Sequence, residues 1–145
     1  MAYSDKVLDP YSTIMISGGF DPVHSGHVRM LMDARNYGEV IVVLNSDAWL
    51  QRKKGYVFMP FEERWAIMEA FQGVTHVIGV DDADDTVCEA IRRVKPTYFG
   101  NGGDRTSDNT PEQEACKELN IEIIFGLGGG KTQSSSSLVL KLQKI

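Results

Sequence analysis

The chain has 145 residues, 42% hydrophobic and 24% charged, with a formal net charge of −5 at pH 7. These values are typical of one globular domain, and the acidic charge argues against a nucleic-acid partner, which normally needs a basic face. No apolar run approaches the roughly 20 residues of a membrane span, and the N-terminus lacks a signal-peptide pattern, so we expect a cytoplasmic protein without a membrane partner.

The first half of the chain alternates β-rich runs with amphipathic segments. Residues 12–17 predict a strand that ends at two glycines, and residues 28–38 have apolar side chains at helical spacing before Gly38. The continuous apolar run 39–45 predicts a strand buried on both faces. Residues 60–73 begin with proline and end with glycine, which is the usual asymmetry of a helix.

The second half repeats this alternation. Thr110 and Pro111 are suited to the N-cap and first position of a helix. The predicted strands are residues 74–80, 96–101 and 121–126, and the predicted helices are residues 84–95, 110–120 and 135–145.

Five strand and helix alternations predict an α/β fold, a doubly wound five-stranded parallel sheet of Rossmann-like type. We expect residues 1–11 to be an N-terminal extension and residues 12–145 to be a single domain. Ligands of such sheets bind beyond the carboxyl ends of the strands. The loops that follow the predicted strands at Ser17, Asn45, Phe99 and Phe125 should all lie at that edge.

The turn Gly18–Leu31, which reads GGFDPVHSGHVRML, contains His24 and His27 three residues apart. Zinc needs three or four ligands, and His76 and the two cysteines fall on other predicted elements, so a zinc site is disfavoured. Gly26 removes a side chain where a phosphate could lie, and a helix that opens at Ser25 or Gly26 would direct its N–H groups at the same place. The turn therefore favours an anion site over two unrelated histidines.

Three other features have plainer interpretations. Cys88 and Cys116 are expected to be buried, reduced thiols. The acidic run 81–85 is interpreted as a solvated loop and helix cap rather than a magnesium site. Four aromatic residues are expected to belong to the core, and these are Trp49, Phe61, Trp65 and Phe71.

Five segments in order resemble the His-x-Gly-His nucleotidyltransferase superfamily, which includes cytidylyltransferases and adenylyltransferases. The resemblance extends from Ile14 through nearly the whole chain and is closest to the adenylyltransferase domain of ADP-heptose synthases and to glycerol-3-phosphate cytidylyltransferases. The segments are HSGH (24–27), VLNSDAWLQRKKG (43–55), PFEERWAIMEAF (60–71), GGD (102–104) and SSSS (134–137).

The resemblance implies roles for individual residues. His24 and His27 would contact the nucleotide phosphates, Lys54 would bind a phosphate of the nucleotide or acceptor, and Arg64 would order the site unless it is a surface helix charge. Asp21 is the one protein group that could assist a metal. The implied nucleotide-binding residues are Gly19, Phe20, Gly26, Gly102, Gly103, Asp104, Lys131, Thr132, Ser134, Ser135, Ser136 and Ser137.

The implied reaction transfers a nucleoside monophosphate from ATP or CTP to a sugar phosphate or polyol phosphate and releases pyrophosphate, as in a heptose-1-phosphate adenylyltransferase. The alternatives are a glycerol-3-phosphate cytidylyltransferase-like enzyme and a non-catalytic nucleotide-binding module. The resemblance also implies Mg²⁺ carried with the triphosphate, and a homodimer. Asn101 replaces a lysine of the ADP-heptose synthase pattern and Arg105 replaces an aromatic residue, so the base and the acceptor stay open.

Overall fold

The computed structural model describes residues 11–102, 110–129 and 135–143, and these form five strands and six helices. The strands are β1 (Thr13–Gly18), β2 (Glu39–Leu44), β3 (Val74–Gly79), β4 (Tyr98–Gly102) and β5 (Glu122–Leu127). The helices are α1 (Ser25–Ala34), α2 (Asp47–Lys54), α3 (Phe61–Ala70), α4 (Cys88–Val94), α5 (Pro111–Glu118) and α6 (Ser135–Gln143). Within these ranges no helix is long and apolar enough to cross a bilayer.

The sheet has the strand order β3-β2-β1-β4-β5, and every neighbouring pair is parallel. Ile14 in the central strand β1 is in register with Val40 on one side and Tyr98 on the other. The predicted doubly wound parallel sheet is therefore confirmed. The strand order reverses at β1, and a crevice at such a switch point is where ligands of this architecture bind.

Two core clusters lie on opposite faces of the sheet, because successive strand residues point to opposite sides. Ile14 and Ile16 belong to one cluster with residues of α1 and α3, whereas Met15 belongs to the other with residues of α4 and α5. Phe61, Trp65 and Phe71 pack against the first cluster. These three aromatic residues are where the sequence predicts them.

Cys88 and Cys116 are free and buried in the second cluster, as expected. Burial raises the pKa of the Cys116 thiol from 9.0 to about 11, and the neighbouring Cys88 and Glu112 add to this effect. The thiol consequently stays protonated at neutral pH and is a poor nucleophile, because the thiolate is the reactive form.

Helix α2 is the one element in the described ranges that the sequence pattern does not predict. Only Leu50 of its eight residues is buried, so the segment has little apolar periodicity to detect. Its end signals are nevertheless clear. Ser46 caps the first turn by accepting the Trp49 N–H, and Gly55 ends the helix in the left-handed conformation with φ of 82°.

Candidate active site

The His24–His27 pair forms the N-terminal cap of α1, just beyond the carboxyl end of β1. His24 is the N-cap residue, and its Nδ1 accepts the Gly26 N–H at 3.0 Å. The Nδ1 of His27 accepts the His24 N–H at 3.1 Å. This reciprocal arrangement is a capping box, in which the N-cap and third helical residues each satisfy a backbone donor of the helix start. The three-residue spacing of the histidines is thus a requirement of the helix start.

These two hydrogen bonds also determine where each imidazole carries its proton. A neutral imidazole has one donor and one acceptor nitrogen, so an accepting Nδ1 puts the proton on Nε2. The two rings lie 3.9 Å apart between centroids, and the Phe20 ring lies 4.7 Å from that of His27. The pair therefore presents two neighbouring Nε2–H donors beside the positive end of α1, which is a combination suited to phosphate oxygens.

Gly26 is required by His24 rather than only by a ligand. A Cβ at this position would lie 2.8 Å from Cε1 and 2.9 Å from Nδ1 of the His24 ring, closer than side-chain contacts permit. The structure thus adds a reason for glycine at this position, and the space that it leaves for a phosphate stays a prediction. The missing side chain makes room for the capping imidazole, which in turn directs its Nε2–H.

Asp21 is fully buried and holds the loop that joins α2 to α3. Its Oδ2 accepts the Phe58 N–H at 2.7 Å, and its Oδ1 accepts the Met59 N–H at 2.5 Å. Both oxygens are engaged with backbone and shielded from solvent, so Asp21 does not fit the assisting metal role predicted for it. In the described part of the chain no three His, Cys, Asp or Glu side chains come together in a way that could hold a metal ion.

Lys54 and Ser135 converge on the loop that contains Asp21. The Nζ of Lys54, at the end of α2, lies 3.5 Å from the Asp21 carbonyl oxygen. The Oγ of Ser135, the first residue of α6, donates to the Pro22 carbonyl oxygen at 2.7 Å. A lysine and the first residue of a serine-rich helix therefore reach adjacent residues, three and two positions before His24.

Arg64 lies in α3 and is fully buried, so it is not a surface helix charge. Its guanidinium donates to three carbonyl oxygens and forms an ion pair with Asp47 at 2.7 Å. The carbonyls belong to Gly19 at 3.0 Å, Asn45 at 2.7 Å and Met59 at 2.9 Å. Arg64 thus connects the loops after β1 and β2 with the segment before α3. This geometry agrees with the ordering role.

A buried network around Asp82 was missed by sequence reasoning. Asp82 lies in the acidic run 81–85 and is only 4% exposed, so the interpretation of that run as a solvated loop is wrong for this residue. Its carboxylate accepts from Asn45 and Ser46, which are 37 and 36 residues earlier in the chain. The run does not cap α4 either, because the N-cap is Val87, without a side-chain hydrogen bond. No local signal in the sequence marks this long-range contact.

Three further residues of the predicted site are described, two in the loop after β1 and one at the end of β4. A Cβ on Gly19 would come within 2.7 Å of Leu50 Cδ2, so glycine lets α2 pack closely over the loop after β1. Phe20 has a positive φ of 52° and is buried in the core. Gly102 lies against α1, since a Cβ there would be 3.3 Å from the Met30 sulfur.

Trp49 corrects the expectation of a core position. It is half-buried and outside both core clusters, and its ring would lie 3.7 Å from a Cβ on Gly19.

Several residues of the predicted site cannot be located in the structure. Gly103, Asp104, Lys131, Thr132 and Ser134 lie outside the described residues, and for Ser136 and Ser137 only their place in α6 is described.

Comparison with known proteins identifies the same family over most of the chain. A family model described as cytidylyltransferase-like matches residues 15–129. The curated relatives include a bifunctional protein HldE from Geobacter sulfurreducens, 32% identical over 133 residues, and one from Wolinella succinogenes, 31% identical over 134 residues. These alignments cover 88% and 90% of this chain but 27% of each relative, so the chain spans about a quarter of the length of the curated proteins that it matches.

The solved structures agree on the fold. A crystal structure of the lipopolysaccharide core biosynthesis protein from Thermoplasma volcanium superposes with a TM-score of 0.68 at 24% identity. The match covers 83% of this chain and 98% of that one. A protein of unknown function from Archaeoglobus fulgidus gives a TM-score of 0.53 at 16% identity, over 85% of this chain and 96% of its own.

Proposed function

The chain belongs to the cytidylyltransferase-like family of nucleotidyltransferases, and we propose that it transfers a nucleoside monophosphate from ATP or CTP to a sugar phosphate or polyol phosphate. The resemblance to the adenylyltransferase domain of ADP-heptose synthases makes ATP and a heptose phosphate the first substrates to test. CTP with glycerol 3-phosphate is the second pair, since both belong to the same superfamily.

The proposed reaction is an in-line displacement at the α-phosphorus. An oxygen of the acceptor phosphate forms a new P–O bond, the bond between the α-phosphorus and the bridging oxygen to the β-phosphate breaks, and its electron pair leaves with pyrophosphate. An ionised phosphate is already nucleophilic, so neither a protein nucleophile nor a general base is required. Catalysis then depends on holding the two phosphates in line and on stabilising the charge that develops.

The residues of the site have distinct parts in this reaction. His24 and His27 donate through Nε2–H to oxygens of the triphosphate, and the Lys54 ammonium adds a positive charge nearby. Asp21 and Arg64 do not contact substrate in this account, because their polar atoms are engaged with the loops that carry Gly19, Asn45 and Met59. Mg²⁺ would supply charge neutralisation on the triphosphate oxygens and be held by those oxygens and water.

The observation that carries the proposal is the convergence on the loop before His24. Three family segments that are distant in sequence supply Lys54, the histidine pair and Ser135. Lys54 and Ser135 contact the neighbouring residues Asp21 and Pro22. Lys54 and Ser135 thus both reach the loop that leads into the histidine pair, beyond the carboxyl end of β1, and ligands of this architecture bind at that edge of the sheet.

The test is pyrophosphate release from each pair of a nucleoside triphosphate and a sugar or polyol phosphate. We expect one pair to turn over, and His27→Ala to lower kcat by about 100-fold, as the loss of one oxyanion donor does. His76→Ala is the matched control because His76 is exposed on β3, an edge strand of the sheet, and should leave kcat unchanged.

Two results would contradict this proposal. One is that no pair releases pyrophosphate. The other is that nucleotide binds and turnover is the same in wild type and His27→Ala. Nucleotide binding without any turnover would instead identify a non-catalytic binding module.

A further inference from the structure

Asp82 fixes the start of α2 from a loop of another strand. Its Oδ1 accepts the Ser46 Oγ–H at 2.6 Å, and its Oδ2 accepts the Ser46 N–H at 2.8 Å and the Asn45 Nδ2–H at 3.1 Å. All three donors belong to the two residues that precede α2. A buried carboxylate with three such bonds holds this backbone in one position, because breaking the bonds would leave a buried charge without partners.

Ser46 transmits that position into the helix. Its Oγ donates to Asp82 and also accepts the Trp49 N–H at 3.0 Å, so one hydroxyl joins the anchor to the first turn of α2. A second tether comes from Arg52, also in α2, which donates to the Asp82 carbonyl oxygen at 2.8 Å and to Asp85 Oδ1 at 2.9 Å. The loop between β3 and α4 therefore holds α2 at two places and sets its direction.

The opposite end of α2 carries Lys54. The helix has eight residues and is about 12 Å long at 1.5 Å per residue. A rotation of about 5° around its anchored start would move the end of such a helix by about 1 Å. A misplacement of about 1 Å in a reacting site can lower a rate by about 100-fold. The position of Lys54 is consequently sensitive to the anchor at Ser46.

We infer that Asp82 is a positioning residue for Lys54, acting through Ser46 and α2 without touching substrate. The inference rests on the proposed function for its effect on turnover, because Lys54 is there the group that binds phosphate. It gives a carboxylate of the acidic run 81–85 an indirect part in the proposed reaction. It also separates Asp82 from its neighbour Asp84, whose carboxylate accepts from the N–H and the Oγ–H of Thr86 and whose pKa is lowered by those bonds.

The first experiment is a double-mutant cycle on kcat for pyrophosphate release. Asp82→Asn keeps the shape of the side chain but loses its charge and replaces one acceptor by a donor, so we expect kcat to fall by about tenfold with an unchanged circular dichroism spectrum. Lys54→Ala should lower kcat by about 100-fold, and Asp82→Asn should add little in that background, because the group that it positions is gone. Asp84→Asn is the matched control and should leave kcat unchanged.

The inference is overturned if Asp82→Asn leaves kcat unchanged, or if it lowers kcat by the same factor in both backgrounds, which would mean a general structural effect. Asp82→Ala, which removes both acceptor oxygens and all three hydrogen bonds, should have the larger effect of the two Asp82 variants wherever it folds.

The second experiment does not depend on activity and so separates this inference from the proposed function. In crystal structures of the wild type and Asp82→Asn, we expect the end of α2 to shift and Lys54 Nζ to move by about 1 Å relative to the Asp21 carbonyl oxygen. If α2 and Lys54 occupy the same positions in the two structures, the positioning role is refuted even if the wild type proves inactive. If Lys54 shifts in a protein that shows no turnover, the positioning role stands and the proposed transferase activity is rejected.

Discussion

At the scale of single residues, the imidazole of His24 serves helix α1 and the candidate phosphate site at once. Its Nδ1 caps the helix by accepting the Gly26 N–H, and this bond leaves the Nε2–H as the donor toward a ligand. Gly26 makes the arrangement possible, because any side chain there would meet the His24 ring. Capping of α1 thus favours glycine at position 26, and the proposed phosphate site would place the same requirement on it.

Gly26→Ala should separate these two requirements. The new Cβ pushes the His24 ring aside and removes a cap worth about 1 kcal/mol, while alanine gains up to about 1 kcal/mol over glycine in a helix. We therefore expect a free energy of unfolding within about 1 kcal/mol of the wild type but a kcat about 10- to 100-fold lower. Urea denaturation and pyrophosphate release measure the two effects.

The control for this variant is Gly55→Ala, because a Cβ at Gly55 would meet nothing within 4 Å although φ is positive there. It should cost some stability through backbone strain and spare the histidine pair. A Gly26→Ala enzyme with full kcat would show that the orientation of His24 does not matter for turnover.

At the scale of elements, α3 uses one buried arginine to hold loops from three parts of the chain. The sequence leaves a surface helix charge as the alternative to the ordering role implied for Arg64, and the fold decides between them because Arg64 is fully buried. Asp82 is a similar case, since its partners are 36 and 37 residues away. Sequence patterns detect the periodic burial of apolar residues. They therefore miss α2, which buries one residue, and they also miss buried polar side chains whose hydrogen-bond partners are distant in the chain.

Arg64→Lys tests this loop connection. A lysine ammonium is a compact donor without the planar fork of arginine, so it cannot reach three carbonyl oxygens and Asp47 together. The buried carbonyls left without donors should lower the free energy of unfolding by about 2–4 kcal/mol. Urea denaturation measures the change, and Arg92→Lys, the same substitution at an exposed position of α4, should have almost no effect. Equal stability of the Arg64→Lys variant and the wild type would exclude Arg64 as an organising residue.

At the scale of the whole molecule, the five-stranded parallel sheet with helices on both faces follows largely from the sequence. A run such as 39–45, apolar throughout, is typical of a strand buried on both faces, and alternation with helices then requires a parallel sheet. Because the loops of parallel strands that share an edge come together, the histidine turn and Lys54 were expected to be close. The packing reason for glycine at position 26 and the position of Trp49 outside the core could be learned only from the packed structure, because both depend on which side chains are neighbours in space.

The proposed reaction requires that the histidine pair, Lys54 and the start of α6 bind the same triphosphate. Its most direct test is a crystal structure of the protein with ATP or CTP and Mg²⁺. We expect triphosphate oxygens within about 3.2 Å of the Nε2 atoms of His24 and His27 and of Lys54 Nζ. A nucleotide bound with its phosphates away from these three groups would contradict the account.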